Sequence, residues 1–215
     1  MDLARFIDAT ILKPDTTLAD IKKLCEEAKN YQFMAVCVPP FFVKDAVKAL
    51  EGTPVMTSTV VGFPMGYSAT PAKVEEIKKA IDEGATELDC VINLCAVKSK
   101  QWNYVRNEIE SMAMACQMRG KTIKIILETG MLTEPEITKL CEIVTEVKVN
   151  FVKTSTGLNG KGATVQVVDS LRKKLPPTIK IKASGGIRDR KFAEELIAAG
   201  ADRIGTSAAS AVING

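Results

Sequence analysis

Two lysines that precede glycine-containing segments are the residues of this chain most able to do covalent chemistry. They stand in Lys153-Thr-Ser-Thr-Gly157 and Lys182-Ala-Ser-Gly-Gly186, each at the end of a short apolar run. A lysine that faces a core is costly unless it is paired, neutral or used chemically. Two of them on successive strands indicate an amine nucleophile whose neutral form is favoured by the positive charge of its neighbour. The alternative for each lysine is a simple ion pair with a carboxylate.

Proton transfer must use other residue types than histidine, because the sequence contains none. Asp89 lies in the otherwise apolar segment Glu87-Leu-Asp-Cys-Val-Ile-Asn93, where it is a candidate for proton relay. It is also a candidate counter-ion for either lysine, and the two roles are compatible. Asp8 is a similar strand carboxylate with a weaker case, and Glu128 is a candidate to balance the lysine charge.

Glycine-containing segments near the end of the chain indicate an anion-binding site. Gly185-Gly-Ile-Arg188 precedes a predicted helix at 189–199, and Arg203-Ile-Gly-Thr-Ser207 ends the last predicted strand. In barrels of alternating strands and helices, the loops after strands seven and eight form a recurrent phosphate site. Backbone N–H groups and a helix N-terminus attract the anion there. One Gly-Gly pair usually marks only a turn, but the matched positions of the two segments predict phosphate binding.

Short apolar runs alternate with segments of helical period along the whole chain, and these elements must position the lysines. Eight strands within 215 residues, with no break in composition, predict a single-domain (β/α)8 barrel over residues 1–215. An open doubly wound sheet is the alternative. Helix starts are indicated at Thr70-Pro71 and at the capping box Thr133–Glu136, and helix ends at Gly84 and Gly200. The predicted strands are 5–12, 33–38, 55–61, 86–92, 123–128, 149–155, 178–183 and 202–206.

Alternation along these strands predicts which side chains face the barrel interior. Asp89 and Lys124 each lie on one face of a strand whose other face is apolar, and Lys153 shares a face with Phe151 and Ser155. Polar residues that face inward near the carboxyl ends of strands belong at the catalytic mouth of a barrel. Lys180 has the same parity as Lys182, so it lies at a solvated lower rim or a bulge shifts its register.

The composition argues against several other classes of function. The 29 basic and 26 acidic residues are interspersed and aromatic residues are few, which predicts no nucleic-acid surface. The six cysteines form no CxxC pair and there is no histidine, so we expect no zinc site. We also expect no cofactor. Reduced thiols, no signal-peptide region and no apolar stretch near about 18 residues predict a cytoplasmic protein without a membrane partner.

Together these motifs resemble the deoxyribose-phosphate aldolase family, and the resemblance runs through nearly the whole chain. It implies a (β/α)8 barrel that needs no metal. It also implies reversible cleavage of 2-deoxy-D-ribose 5-phosphate to glyceraldehyde 3-phosphate and acetaldehyde. The motifs that carry it are Ile7-Asp-Ala-Thr-Ile-Leu-Lys-Pro14, Val36-Cys-Val38, Val61-Gly-Phe-Pro64, Glu87-Leu-Asp-Cys-Val-Ile-Asn93, Ile126-Leu-Glu-Thr-Gly130, Phe151-Val-Lys-Thr-Ser-Thr-Gly157, Lys182-Ala-Ser-Gly-Gly-Ile-Arg188 and Arg203-Ile-Gly-Thr-Ser207.

Carried over by position, the resemblance implies a role for each site residue. Lys153 would be the Schiff-base nucleophile, Lys182 the neighbouring lysine that favours its neutral form, and Asp89 a partner in proton relay. Asp8 matches a pocket carboxylate and Cys37 a pocket thiol. The positions around the phosphate of a small phosphorylated sugar would be Gly157, Gly185, Gly186, Arg188, Gly205 and Ser207.

Three positions depart from the pattern of the family. Ala9 replaces a histidine that often follows the first-strand aspartate, Leu158 stands where some members place a phosphate-facing lysine, and Ala208 replaces a frequent second serine. These changes leave the lysine chemistry in place. Two other functions stay open, namely a lysine-dependent aldolase or transaldolase for another sugar phosphate and a catalytically silent sugar-phosphate-binding protein. A homodimer and a homotetramer also both stay open.

Overall fold

A closed barrel of parallel strands dominates the structure, a computed structural model that describes residues 2–215. Consecutive strands pair in parallel, and the last strand pairs with the first. The predicted (β/α)8 fold is confirmed, and the doubly wound alternative is wrong because an open sheet would leave two edges unpaired. The strands are β1 (Ile7–Thr10), β2 (Ala35–Val38), β3 (Met56–Val61), β4 (Glu87–Val91), β5 (Thr122–Ile126), β6 (Phe151–Lys153), β7 (Lys180–Ser184) and β8 (Arg203–Thr206).

Helices surround this barrel and bury its outer face. As predicted, the Thr133 N–H donates to Glu136 at the start of the sixth helix (2.7 Å), and Gly84 and Gly200 follow two helix ends with positive φ. The predicted start at Thr70 is displaced by one residue, since Ala69 is the N-cap. No helix of residues 2–215 is long and apolar enough to cross a membrane. The helices are α1 (Leu18–Tyr31), α2 (Val43–Ala49), α3 (Thr70–Asp82), α4 (Leu94–Lys98), α5 (Trp102–Gln117), α6 (Glu134–Val147), α7 (Val165–Lys174), α8 (Arg190–Ala198) and α9 (Ala209–Asn214).

The side chains of each strand divide between the outer apolar core and the barrel interior. On β4, Leu88 and Cys90 belong to the apolar core between strands and helices. Asp89 is fully buried but stands outside that core, on the opposite face of the strand. The same division places Lys124 of β5 inside the barrel, because Ile123 and Ile125 pack outward. The predicted alternation is therefore confirmed on both strands.

Two strands, β1 and β6, are shorter at both of their ends than predicted. Residues Leu3–Phe6 form a 3₁₀ turn before β1, and β6 ends at Lys153 rather than at residue 155. Lys180 keeps regular register opposite Phe151 and is exposed, so it lies at the lower rim and no bulge is present there. Its ammonium nitrogen lies 5.8 Å from the centre of the Phe151 ring. Regular pairing then aligns Lys153 directly with Lys182 on the neighbouring strand.

Candidate active site

A cluster of charged side chains fills the middle of the barrel. Its members come from five strands besides β4, so the closed sheet brings together residues that are far apart in sequence. Each of them is at most 5% exposed. Within a barrel interior of low polarity, such charges must be compensated by one another. The cluster consists of Asp8, Glu87, Asp89, Lys124, Lys153, Lys182 and Arg203.

Asp89 is the centre of this cluster. Its Oδ2 accepts hydrogen bonds from Lys153 Nζ and Lys182 Nζ, both at 2.8 Å. Its Oδ1 accepts from Lys124 Nζ at 2.9 Å and from Ser58 Oγ at 3.2 Å. Burial raises the pKa of this carboxyl, but the lysine charges outweigh burial and hold the pKa well below its usual range. Asp89 is therefore a carboxylate shared by three lysines.

Lys182 is held between two carboxylates. Its Nζ lies 2.5 Å from Asp8 Oδ2 and 2.8 Å from Asp89 Oδ2. Burial lowers the pKa of Lys182, but the negative charges of Asp8 and Asp89 outweigh burial and raise it above its ordinary value. The two carboxylates thus favour the ammonium form of Lys182 near the mouth of the barrel.

Lys153 has fewer carboxylate partners than Lys182. Among the residues that the structure describes, Asp89 is the one carboxylate within 4.0 Å of its Nζ. Lys124, in contrast, has three such partners, with Glu87 at 2.5 Å, Asp89 at 2.9 Å and Asp8 at 3.8 Å. Lys153 also lies at the last position of its strand, at the carboxyl end of the barrel where catalytic groups of this fold are found.

Three members of the cluster were not among the predicted site residues, namely Glu87, Lys124 and Arg203. Arg203 donates to Asp8 Oδ1 through Nε (2.6 Å) and to Glu87 Oε2 through Nη2 (2.9 Å), and Lys124 also donates to Glu87. Alternation already placed Lys124 inside the barrel. It would have placed Glu87 there too, two residues before Asp89. No comparable signal identified Arg203, because its partners come from β1 and β4.

Cys37 and Glu128, two candidate residues from the sequence, have surroundings that restrict their chemistry. Cys37 is fully buried, and burial together with the charge of Asp89 raises the pKa of its thiol, so the sulfur stays protonated. Glu128 is also fully buried, but within residues 2–215 it pairs with no lysine. Its carboxylate instead accepts hydrogen bonds from Thr156, so the suggestion that it balances the lysine charge is wrong.

The segments after β6 and β7 pack backbone against backbone. A side chain on Gly157 would place its Cβ 3.5 Å from Gly185 Cα, and one on Gly185 would come within 2.8 Å of Gly162 Cα. Ala163 N donates to Ser184 O at 3.0 Å, and Ser184 Oγ donates to Ser155 O at 2.5 Å. These contacts bring Gly157 and Gly185 together at the end of the barrel where Lys153 lies.

The other predicted phosphate residues have different surroundings. Gly186, Arg188 and Ser207 are exposed, and neither of the two side chains forms an ion pair or hydrogen bond within residues 2–215. Gly205 lies in β8, where a Cβ would come 2.9 Å from Lys182 Cε. The absence of a side chain at Gly205 therefore makes room for Lys182.

A closed (β/α)8 barrel with inward lysines and carboxylates at its carboxyl mouth has the architecture of a barrel enzyme. The chain belongs to the DeoC/LacD family of aldolases, whose family model matches residues 3–214. It is 47% identical over 216 residues to a protein of Clostridium novyi named deoxyribose-phosphate aldolase, with 100% of this chain and 96% of that protein covered. A protein of that name from Thermococcus kodakarensis is also 47% identical, with the same coverage.

Solved structures agree with this family assignment. The deoxyribose phosphate aldolase of Aeropyrum pernix, described as having a unique tetrameric structure, is 33% identical and superposes with a TM-score of 0.92. The match covers 99% of this chain and 89% of that one. The expected resemblance to this family is therefore confirmed.

The charge cluster predicts an acid-sensitive fold. Burial opposes ionisation of Asp8, but the charges of Lys182 and Arg203 lower its pKa to about 2. A carboxylate with a depressed pKa stabilises the fold above its unfolded pKa, and this contribution is lost as the pH falls through the folded value. We expect the free energy of unfolding to fall by about 2 kcal/mol through Asp8 alone between pH 4 and pH 2. Urea unfolding at several pH values measures this loss.

A matched pair of variants assigns the acid sensitivity to Asp8. Asp8→Asn should remove this part of the pH dependence, whereas Asp45→Asn, at an exposed position of α2, should keep it. An equal pH dependence in Asp8→Asn and the unmodified protein would contradict the assignment.

Proposed function

We propose that this protein catalyses reversible aldol cleavage of 2-deoxy-D-ribose 5-phosphate to D-glyceraldehyde 3-phosphate and acetaldehyde through a lysine imine. Family membership and the names of its relatives support the reaction. The observation that carries the mechanism is the convergence of Lys153 and Lys182 on one oxygen of Asp89, each at 2.8 Å. Two amines that share one buried carboxylate cannot both be fully compensated as cations.

The charge of the cluster favours Lys153 as the nucleophile. Four cations and three carboxylates meet in the barrel, so full ionisation leaves one positive charge in excess. A neutral amine at one lysine removes this excess. Lys153 has the fewest carboxylate partners, whereas Lys182 is held as a cation by Asp8 and Asp89. The neutral amine that imine formation needs is therefore most readily available at Lys153.

The reaction follows from a neutral amine at this position. Lys153 Nζ attacks the C1 aldehyde of the open-chain sugar, and loss of water gives an iminium ion. Because the products have two and three carbons, the C2–C3 bond breaks while a base takes the proton of the C3 hydroxyl. The electron pair of that bond moves into the iminium to form an enamine, and glyceraldehyde 3-phosphate leaves. Protonation of the enamine at C2 and hydrolysis release acetaldehyde and regenerate the amine.

Asp89 and Lys182 are the groups we assign to proton transfer. Asp89 is ionised and contacts both lysines, so it can accept a proton and pass it on through Lys182 or a water molecule. Lys182 also opposes protonation of Lys153 by its charge. Asp8 holds Lys182 in position through their ion pair. The Cys37 thiol lies near the same cluster and stays protonated, so it adds no charge to the site.

We assign the substrate phosphate to the loops that follow β6, β7 and β8. Gly157 and Gly185 lie against each other with positive φ, and Gly186 is open to solvent. Arg188, in the segment after β7, and Ser207, directly after β8, are exposed and supply a cation and a hydroxyl. Backbone N–H groups without a side chain nearby can approach an anion closely.

Phosphate recognition predicts a strong preference for the phosphorylated sugar. Binding of a remote phosphate orients the reacting carbons, so its loss costs rate as well as affinity. We expect kcat/KM for 2-deoxyribose to be roughly a hundredfold or more below that for its 5-phosphate. Acetaldehyde release, followed with alcohol dehydrogenase and NADH, measures both sugars by one assay. Equal values for the two sugars would remove the phosphate site from the proposal.

Borohydride reduction in the presence of acetaldehyde tests the imine directly. Peptide mass mapping should find an N-ethyl group on Lys153. An adduct on Lys182 would reverse the two lysine roles. A folded protein with no adduct would instead be a sugar-phosphate-binding protein without this chemistry.

We also propose that the protein acts in the cytoplasm as a homo-oligomer. All six cysteines are free thiols and five of them are buried, as suits a reducing compartment. The tetrameric description of the Aeropyrum pernix protein supports self-association of this chain. Light scattering coupled to size exclusion distinguishes a homodimer from a homotetramer.

A further inference from the structure

Glu128 is a buried carboxylate that the imine mechanism does not use. It follows β5 at the catalytic end of the barrel and is fully buried. Its backbone is left-handed (φ 57°, ψ 55°), a conformation that is unfavourable for a residue with a side chain. A residue held in such a conformation close to an active site is a candidate for a functional constraint.

The carboxylate of Glu128 accepts its hydrogen bonds from Thr156, in the loop that follows β6. Both of its oxygens lie 3.2 Å from Thr156 N, which donates to them, and Oε2 also accepts the Thr156 hydroxyl at 2.5 Å. Thr156 lies three residues after Lys153 on the segment that leaves β6. A backbone hydrogen bond joins the same two segments, because Thr129 N, next to Glu128, donates to Thr154 O at 2.9 Å.

No cation offsets the charge of this carboxylate. Within residues 2–215, no lysine or arginine nitrogen lies within 4.0 Å of it, in contrast to Asp8, Glu87 and Asp89. A buried carboxylate that is stabilised by hydrogen bonds alone lowers the stability of the fold, because its desolvation is not offset by an opposite charge. Its two oxygens can, however, accept an N–H and an O–H together, and charge-assisted hydrogen bonds of this kind are strong.

The hydrogen bonds of Glu128 shape the turn that contains Gly157. The Thr156 hydroxyl donates to Glu128 and accepts from Leu158 N at 3.1 Å, so one hydroxyl links the carboxylate to the residue after Gly157. Gly157 has φ 83°, and it packs against Gly185 of the loop after β7. The conformation of this turn therefore depends on an acceptor at Glu128.

We propose that Glu128 is a positioning residue that sets the turn Thr156–Leu158 for the phosphate of the substrate. The inference rests on the proposed function, since it names the group that orders one wall of the phosphate site. Glu128 acts through Thr156 and does not touch the reacting carbons. Loss of the Glu128 carboxylate therefore lowers kcat/KM for the phosphorylated sugar more than kcat/KM for the sugar without phosphate.

Kinetics on two substrates test this role. For Glu128→Gln we expect kcat/KM on 2-deoxyribose 5-phosphate to fall about tenfold more than kcat/KM on 2-deoxyribose, mainly through KM. Thr156→Val should show the same selective loss, and Thr156→Ser, which keeps the hydroxyl, should restore most of it. Because one hydrogen-bonded unit is removed in each case, the double variant should lose no more than either single variant.

Controls separate positioning from a general loss of structure. Glu142→Gln changes an exposed glutamate of α6 and should leave both substrates unaffected. An equal loss on both sugars, or no loss on either, would overturn the inference. If Glu128→Gln does not fold, the two Thr156 variants carry the test, since Thr156 is partly exposed. Borohydride trapping on Lys153 of the unmodified protein separates failure of this inference from failure of the proposed function, which would show no adduct.

Discussion

Lys153→Ala is expected to abolish borohydride trapping of acetaldehyde and to lower kcat/KM on 2-deoxyribose 5-phosphate by roughly four orders of magnitude or more. In the proposed mechanism the imine is the electron sink for cleavage of the C2–C3 bond, and within residues 2–215 Lys153 has Asp89 as its single carboxylate partner. Lys124 and Lys182 are each tied to at least two carboxylates. Peptide mapping and the acetaldehyde-release assay measure the two losses.

The fold should survive this change. Without Lys153 the cluster keeps three cations beside three carboxylates, and Asp89 keeps Lys124 and Lys182 as partners. We therefore expect cooperative thermal unfolding close to that of the unmodified protein. Lys180→Ala is the matched control, since Lys180 is an exposed lysine of the neighbouring strand, and it should keep full activity. Substantial cleavage by a folded Lys153→Ala variant would remove this residue as nucleophile.

Lys182→Met should lower kcat/KM by about a thousandfold and move its acid limb to higher pH. The raised pKa of Lys182 keeps it charged throughout the assay range, so the substitution removes a full positive charge beside Lys153. Asp89 then shares its charge between Lys153 and Lys124, which favours the ammonium form of the nucleophile. The pH profile of kcat/KM measures this displacement.

The same substitution should destabilise the protein, in contrast to Lys153→Ala. Asp8 and Asp89 lose the cation between them, and breaking a buried ion pair typically costs about 3–5 kcal/mol. Urea unfolding provides this measurement, and Lys180→Met is the control for the loss of a lysine from β7. An acid limb that stays in place would show that Lys182 does not affect the charge of Lys153, whatever its effect on stability.

The barrel could be predicted from the sequence because its signals are local. Strand alternation, helix caps and terminating glycines act within a few residues, as at Thr133 and Gly200. The ends of strands were less predictable: β6 stops at Lys153 because the backbone N and O of Ser184 on β7 pair with the Thr154 hydroxyl, both at 3.1 Å, instead of with backbone groups. Inward placement of Asp89 and Lys124 also followed from alternation.

The partners of the charged residues could not be predicted in the same way. Asp8 and Arg203 are separated by 195 positions, yet their side chains are hydrogen-bonded at 2.6 Å because β8 closes the barrel against β1. Glu128 shows the same limitation, since the sequence made its carboxylate a candidate to balance the lysine charge. Its left-handed backbone directs it to Thr156 instead.

The sequence by itself determined the succession of strands and helices, the inward side of the strands and the presence of two lysines beside glycine-containing loops. These properties depend on period, side-chain type and local backbone preference. Only the tertiary structure decided that Lys153 has one carboxylate partner while Lys182 has two, and that Gly205 leaves room for Lys182. Ionisation depends on distances of a few ångströms between residues that closure of the barrel brings together, and those distances are absent from any local pattern.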